Sequence, residues 1–163
     1  MPWFMNTRHM ISLISFEEIF PIWRHYLWPN RQDKIEPHSA MLFLKGYDLK
    51  NFNNNPSFFG YFIDDRLVGV NSGHKCCDNS YRSRGLYVDP NYRKSGIGKK
   101  LLTATIQQGK KEYADFVWSY PKQSSWKCYE SSGFKLSSNW HTSDNGINAY
   151  CILTFNELPK IIS

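Results

Sequence analysis

The stretch "VDPNYRKSGIGKKLL", Val88 to Leu102, places two glycines, two positions apart, and four cationic side chains between a strand-like run and a helix-like run. Pro90 has no amide to donate and suits the end of a strand. Ile97, Leu101 and Ala104 share one helical face, which Leu102 and Ile106 widen. A strand that turns through glycines into a helix leaves several backbone N–H groups unpaired, converging at the positive end of the helix dipole. This is an anion site in geometry: Gly96 and Gly98 remove side chains that would hold an anion away from the backbone, while Arg93, Lys94 and Lys99 add charge. Two phosphate loops of known pattern do not match. A Walker loop needs glycine at position 93 and Ser or Thr after Lys99, where the chain has Arg93 and Lys100; a dinucleotide fingerprint needs a third glycine where Leu101 stands. The competing reading of a bare Gly-x-Gly is a helix start beside a solvated cationic face.

Charge placement favours the anion site. The chain carries a formal net charge of +6. Eight cationic residues between Arg82 and Lys111 stand against Asp89 alone, an excess larger than that of the whole chain. A local anionic ligand explains this distribution at least as well as a nucleic-acid surface does, and nucleic acid is not the partner expected. With 163 residues, 41% of them hydrophobic, the chain suits one domain over residues 1–163. No apolar run of about 18 residues and no signal-type N-terminal segment is present, so a soluble, cytoplasmic protein without a membrane partner is expected. Cys76, Cys77, Cys128 and Cys151 form no CxxC pair and are read as free thiols, with no metal site.

Along the chain, "HMISLI" reads as a strand. "SFEEIFPIWRHYLW" reads as a helix with Ser15 and Glu18 at capping-box spacing and an interruption or kink at Pro21. "HSAMLFLKGY" allows a short helix, and "KNFNNNPS" is a loop. "SFFGYFI" and "LVGVNSGHKC" are strands joined as a hairpin through "DDR", and "SYRSRGLYVD" is a third strand. The helix after it starts near Ser95 or Gly96, with Gly109 as its stop. Then come the strand "DFVWSY", the helix "SSWKCYESS" stopped by Gly133, and two final strands, "FKLSSNW" and "NAYCILTF", joined by "HTSDNG". Hairpin-linked strands with helices inserted predict a mixed α/β (α+β) domain around a mostly antiparallel sheet. The helix between "GLYVD" and "DFVWSY" is a crossover that makes those two strands parallel neighbours.

Val88, Pro90, Arg93, Gly96 and Gly98 reproduce the acetyl-CoA-binding segment of the GNAT superfamily of N-acetyltransferases, which "LYVDPNYRKSGIGKKLL" resembles. "KCYESSGF" is similar to that family's C-terminal signature, with Tyr129 four residues before Gly133 and Phe134 following. The last hairpin loosely resembles the ends of ribosomal-protein N-terminal acetyltransferases. The likeness covers about Ser57 to Phe155. It implies a central, mostly antiparallel sheet of six or seven strands with a parallel splayed pair, flanked by about four helices.

The resemblance also implies a function: an acetyl-CoA-dependent N-acetyltransferase in which an amine attacks the thioester directly. Coenzyme A pyrophosphate would lie on the amides of Arg93, Lys94, Ser95, Gly96, Ile97, Gly98 and Lys99. Pantetheine would run beside Leu86, Tyr87 and Val88. Ser124 or Ser125 would replace a cofactor-touching asparagine whose position holds Lys122. Tyr129 corresponds to the family's acid for the departing thiolate; a phenol with pKa about 10 is protonated at neutral pH. The usual base is missing: Arg82, Ser83, Arg84 and Val117 occupy the positions where relatives carry glutamate. His74, His141, Asp144 or a water chain are the substitutes on offer. Deprotonating a lysine at pH 7 costs about 4.6 kcal/mol, against about 1.1 kcal/mol for an α-amine. A site without a strong base therefore favours a protein or peptide α-amine or a small amine. An acceptor groove between about Trp23–Asn55 and Trp140–Asn148, rich in aromatic residues and asparagine, speaks against a polycation. The alternatives are toxin-like acetylation of aminoacyl-tRNA and a non-catalytic acetyl-CoA-binding module; either state, monomer or homodimer, suits the chain.

Overall fold

The computed structural model describes residues 7–32, 34–35, 55–76, 78–143 and 146–155. The chain begins with β1 (His9–Ile14) and α1 (Phe16–Ile22). Ser15 caps α1: its side chain accepts from the Glu18 amide at 3.2 Å, and the Glu18 carboxylate accepts from the Ser15 amide at 3.0 Å, the reciprocal pair its spacing predicts. Pro21 lies inside α1 without ending it, and the helix runs on into a π-helical turn, Trp23–Leu27. The wider turn sets Trp23 into the sheet, fully buried, with its indole N–H donating to the Gly85 carbonyl at 2.9 Å.

β2 (Ser57–Ile63) and β3 (Arg66–Lys75) form the expected hairpin. Asp64 and Asp65 both adopt positive φ (47° and 67°), the backbone of a two-residue turn that matches strand twist. β4 (Tyr81–Val88) pairs with β3, and α2 (Ile97–Lys111) crosses to β5 (Phe116–Ser119). After α3 (Trp126–Ser131) come β6 (Lys135–Leu136), β7 (His141–Ser143), β8 (Gly146–Asn148) and β9 (Cys151–Thr154). The main sheet has seven strands in the order β1-β2-β3-β4-β5-β9-β6, and β7 and β8 make a separate two-stranded sheet. Every pairing is antiparallel except β4 with β5. The mixed architecture with one parallel pair is the one expected, and three α-helices lie among the described residues.

Two local expectations are corrected. Gly109 does not stop α2, which continues to Lys111; it is a packing notch, since a Cβ there would sit 3.1 Å from the Tyr81 ring. The two final strands are not one long hairpin: β6 pairs with β9, while β7 and β8 pair with each other. The short helix suggested for "HSAMLFLKGY" and the first part of the loop, "KNFNN", lie outside the described residues.

The two sheet faces differ in cover. Against one lies α2, whose Ile97, Leu101, Leu102 and Ile106 are buried. Asn71 of β3 donates from Nδ2 to Ser83 Oγ of β4 and to Thr105 Oγ1 of α2, both at 2.9 Å, fixing the helix over the two strands. Against the other lie α1 and the π turn, with Ile19, Trp23, Ile35, Phe58 and Val70 as their buried core.

Candidate active site between two splayed strands

β4 and β5 pair at only two positions, Tyr81 with Val117 and Arg82 with Trp118. Ser119 Oγ then donates to the Ser83 carbonyl at 2.7 Å, a side-chain bond where the backbone ladder ends. From Ser83 to Val88, β4 runs on with no ladder partner on that side among the described residues. An open strand edge of this kind accepts an extended ligand as an added strand. The edge is also kinked. The β3–β4 register shifts between Val70 opposite Tyr87 and Ser72 opposite Arg84, so Gly85 and Leu86 together face Asn71. Gly85 has φ of +84°, and a Cβ on it would lie 2.5 Å from the Trp23 indole; both facts require glycine. The bulge swaps the side-chain faces. Leu86 and Val88 pack with Ile97 and Leu101 under α2, whereas Tyr87 joins the α1 side and stacks on Tyr26 at 5.7 Å and 14°. What these three residues offer the open edge is therefore backbone.

At the end of β4, Asp89 Oδ1 accepts from the Asn91 amide at 2.9 Å and opens a short 3-10 turn, Pro90–Tyr92. Arg93 folds back, its Nε donating to the Val88 carbonyl at 2.7 Å and its guanidinium lying 5.4 Å from the Tyr87 ring centre. Ser95 Oγ donates to the Tyr92 carbonyl at 2.5 Å, so that hydroxyl serves the turn. Lys94 takes φ of 64° and Gly96 of 84°, and the first bond of α2 is Lys100 N–H to the Gly96 carbonyl at 3.1 Å. The amides of Gly96, Ile97, Gly98 and Lys99 thus open the helix without helical acceptors. A Cβ at Gly96 would meet nothing within 4 Å, which leaves the mouth of the turn clear. Gly98 has a different reason: a Cβ there would lie 2.8 Å from Cys128 Sγ of α3. The Ile97 side chain is buried in the core, and only its amide faces outward chemistry.

The local cationic excess divides in space. Arg93, Lys94 and Lys99 are exposed at the turn, and Lys100 Nζ approaches Tyr61 Oη at 3.4 Å. Arg82 is buried 4.5 Å from the Trp118 ring centre, and Arg84 lies 5.1 Å from that of Trp28. Burial pushes the Arg84 guanidinium down, and Arg82 and Arg31 nearby push it further. Lys110 and Lys111 close the far end of α2, about 20 Å from Gly96 at 1.5 Å per residue. One run in sequence is three groups in space, and only one of them is at the turn.

Tyr129 projects from α3 into the core, 4% exposed, edge-on to Phe134 at 5.5 Å. Burial pushes its phenol well above the ordinary range, while a hydrogen bond with Ser119 and the charge of Arg82 pull the other way. The phenol is therefore a proton donor at any neutral pH, beside the Ser119–Ser83 bond that closes the splay. Ser124 is exposed in the 3-10 turn Gln123–Ser125 that leads into α3. Of the substitute bases, His74 is fully buried and Asp144 lies outside the described residues. His141 is exposed and hydrogen-bonded to Tyr120. Val117 is fully buried in the core beside Tyr129 and Cys151. Ser119 and Tyr120 were invisible as site residues in the sequence, because nothing in "DFVWSY" distinguishes its last two residues from any strand end.

A mostly antiparallel sheet, split at its single parallel pair beside a glycine turn that opens a helix, defines an acyltransferase fold. The profile of the acetyltransferase (GNAT) family matches residues 17–134, and the chain belongs to that family of N-acetyltransferases. Solved structures agree in fold. An acetyltransferase of the GNAT family from Staphylococcus aureus superposes with a TM-score of 0.65 at 17% identity, over 91% of this chain and 100% of that one. The ribosomal-protein-S18-alanine N-acetyltransferase from Escherichia coli gives 0.63 at 15% identity, over 96% and 99%. A Bacillus subtilis acetyltransferase in complex with CoA gives 0.60 at 16%, over 93% and 100%. Among curated proteins, none matches this sequence. No helix among the described residues is long and apolar enough to cross a membrane.

Proposed function

We propose that this acyltransferase moves the acetyl group of acetyl-CoA to an acceptor amine, a protein or peptide α-amine or a small amine, at the splay between β4 and β5. The observation that carries the reading is the backbone edge of β4 from Ser83 to Val88, which has no strand paired on its β5 side among the described residues and ends in a turn whose helix-opening amides have no helical acceptors. Bound there, acetyl-CoA supplies an activated acetyl thioester open to direct attack by nitrogen. The backbone of Leu86, Tyr87 and Val88 would hold the pantetheine arm. The amides from Arg93 through Lys94, Ser95, Gly96, Ile97 and Gly98 to Lys99 would hold the pyrophosphate, with the exposed charges of Arg93, Lys94 and Lys99 drawing it in. The open space at Gly96 fits such a group. Ser124 at the entry to α3 gives a hydroxyl to the pantetheine side. Tyr129 would supply the proton for a thiolate leaving there, a task suited to a phenol that burial keeps protonated.

The test is acetyl-CoA binding by calorimetry, paired with thiol release in the presence of N-terminal peptides, free amino acids and lysine side-chain amines. The reading expects binding and turnover, with α-amines ahead of lysine. Tight binding without turnover on any amine supports a binding module instead, and faster lysine acetylation removes the α-amine preference.

A further inference from the structure

The acyl-transfer reading needs a group that takes the acceptor's proton, and the positions expected to hold a carboxylate are Arg82, Ser83, Arg84 and Val117. The side of the splay opposite α3 holds a different device. Trp118 lies opposite Ile152 and Ser119 opposite Cys151 across β5 and β9. Alternation along a strand therefore sets Trp118 and Tyr120 on the face opposite Val117 and Ser119, and Tyr150 on the face opposite Cys151. This is also the face of Arg82, whose guanidinium lies over Trp118. Tyr120 is thus the first residue past the end of β5 on the face away from Tyr129. Its ring packs on Tyr150 at 4.5 Å and on His141 at 5.3 Å.

The hydrogen bonds define a direction. Tyr120 Oη and His141 Nε2 form a hydrogen bond, and His141 Nδ1 lies 3.3 Å from the Asn139 carbonyl. A carbonyl only accepts, so Nδ1 carries the proton and Nε2 presents its lone pair to the Tyr120 hydroxyl. The pair is anchored at both ends. Asn148 lies opposite His141 across β7 and β8 and donates from Nδ2 to the Tyr120 carbonyl at 3.2 Å. His141 is exposed, so a proton that reaches it has a path to water.

We propose that Tyr120 and His141 form the proton exit for the acceptor amine: the proton leaving nitrogen passes to Tyr120 Oη as the phenol's own proton passes to His141 Nε2. The phenol is restored, and the imidazolium is held by the Asn139 carbonyl until it releases its proton to solvent. The amine loses its proton on one face of the splay, while Tyr129 protonates sulfur from the other. Tyr120 touches the acceptor, and His141 acts through it. Burial and the neighbouring Tyr150 push the Tyr120 phenol up, in keeping with a group that relays a proton rather than losing one. Among the described residues, the titratable and charged groups around the pair are Tyr150 ahead of β9, Lys122 on the segment bridged to Asn148, and Arg82 beyond Trp118. This assignment rests on the proposed acetyl transfer.

The experiment is the pH profile of kcat/KM for acetylation of a short peptide's N-terminus by the full chain, comparing wild type with His141→Gln, Tyr120→Phe and the double variant. Acetyl-CoA binding is measured alongside by calorimetry. The relay predicts a loss of about 10²-fold at pH 7 for each single variant and no further loss in the double. It also predicts that the deficit shrinks toward pH 9, where the amine deprotonates unaided, and that acetyl-CoA affinity is unchanged. His9→Gln is the control. His9 Nδ1 makes a 2.8 Å hydrogen bond to Tyr61 at the sheet edge, away from the splay, and its loss leaves the profile as in wild type. Tyr120→Phe keeps the ring on Tyr150, so it reports on the proton path even where His141→Gln unsettles the β7–β8 hairpin. Unchanged rates, additive losses, or the same fold-loss at every pH overturn the relay. A wild type inert toward every amine overturns the acetyl-transfer reading first, and the relay with it.

Discussion

The two faces of the splayed strand pair are built of different materials. On the α2 and α3 face, the glycine turn and Tyr129 are held by close, mostly apolar packing: Leu101 and Leu102 have no exposure, and Tyr129 has 4%. On the opposite face Arg82 lies over Trp118, Trp118 and Tyr120 pack on Tyr150, and Arg84 lies over Trp28. A cofactor of fixed structure can be held by fixed backbone, and that backbone is set by the core beneath it. An acceptor is recognised by side chains at loop ends, where the fold imposes less and sequence is free to vary.

The comparison can be broken at several points. Tyr129→Phe removes the proposed proton donor of the packed face while keeping its ring against Phe134. Turnover should fall by about 10²- to 10⁴-fold with acetyl-CoA affinity unchanged. A steady-state assay with parallel calorimetry checks this, and an unchanged rate takes Tyr129 out of the mechanism. Gly85→Ala strikes the bulge that separates the faces. Its positive φ and the 2.5 Å approach to Trp23 predict a loss of about 3 kcal/mol in denaturant unfolding, with the midpoint shifted and the slope kept.

A third substitution tests what a glycine of the turn is for. Gly98→Ala places a Cβ 2.8 Å from Cys128 Sγ, and should cost about 1–3 kcal/mol by overpacking α2 against α3. The added Cys128→Ala change should restore both stability and acetyl-CoA affinity. Recovery of stability alone would mean that the cofactor needs bare backbone at position 98.

The smallest effect concerns pH. Burial raises the Tyr81 and Tyr129 phenols and pushes the Cys76 thiol up to about 11 and the Cys151 thiol to about 12. Each group holds its proton more tightly folded than unfolded. Its contribution to stability is full below the ordinary thiol or phenol pKa and is lost as pH rises through the folded value. Stability should therefore fall above about pH 9, by up to about 1.4 kcal/mol per pH unit for each group. Tyr81→Phe should make that decline shallower in alkaline denaturation curves.

The packed face is also the one that was legible. Spacing in "VDPNYRKSGIGKKLL" indicated the turn and helix because Pro90, Gly96 and the Ile97–Leu101–Ala104 stripe act locally, within a few residues. The capping box at Ser15 and the "DDR" hairpin were legible for the same reason. Gly109 was misread because a glycine near a helix end looks like a stop, when a partner in β4, Tyr81, required it. Gly98 likewise owes its identity to Cys128, 30 positions on. The division of the cationic run into three groups followed from the sheet, which buries Arg82 and half-buries Arg84, and from the length of α2, which carries Lys110 and Lys111 away. The Tyr120–His141 pair depends on β5, β7 and β9 meeting, a contact of high sequence separation that no local pattern announces.

The most direct test of the account locates the transferred group. A peptide with a free N-terminus and an internal lysine is incubated with the protein and labelled acetyl-CoA, and the label is mapped by fragmentation mass spectrometry at pH 7. The account predicts label on the α-amine with lysine largely unmodified. Label on lysine ahead of the α-amine, or no label despite bound acetyl-CoA, would contradict it.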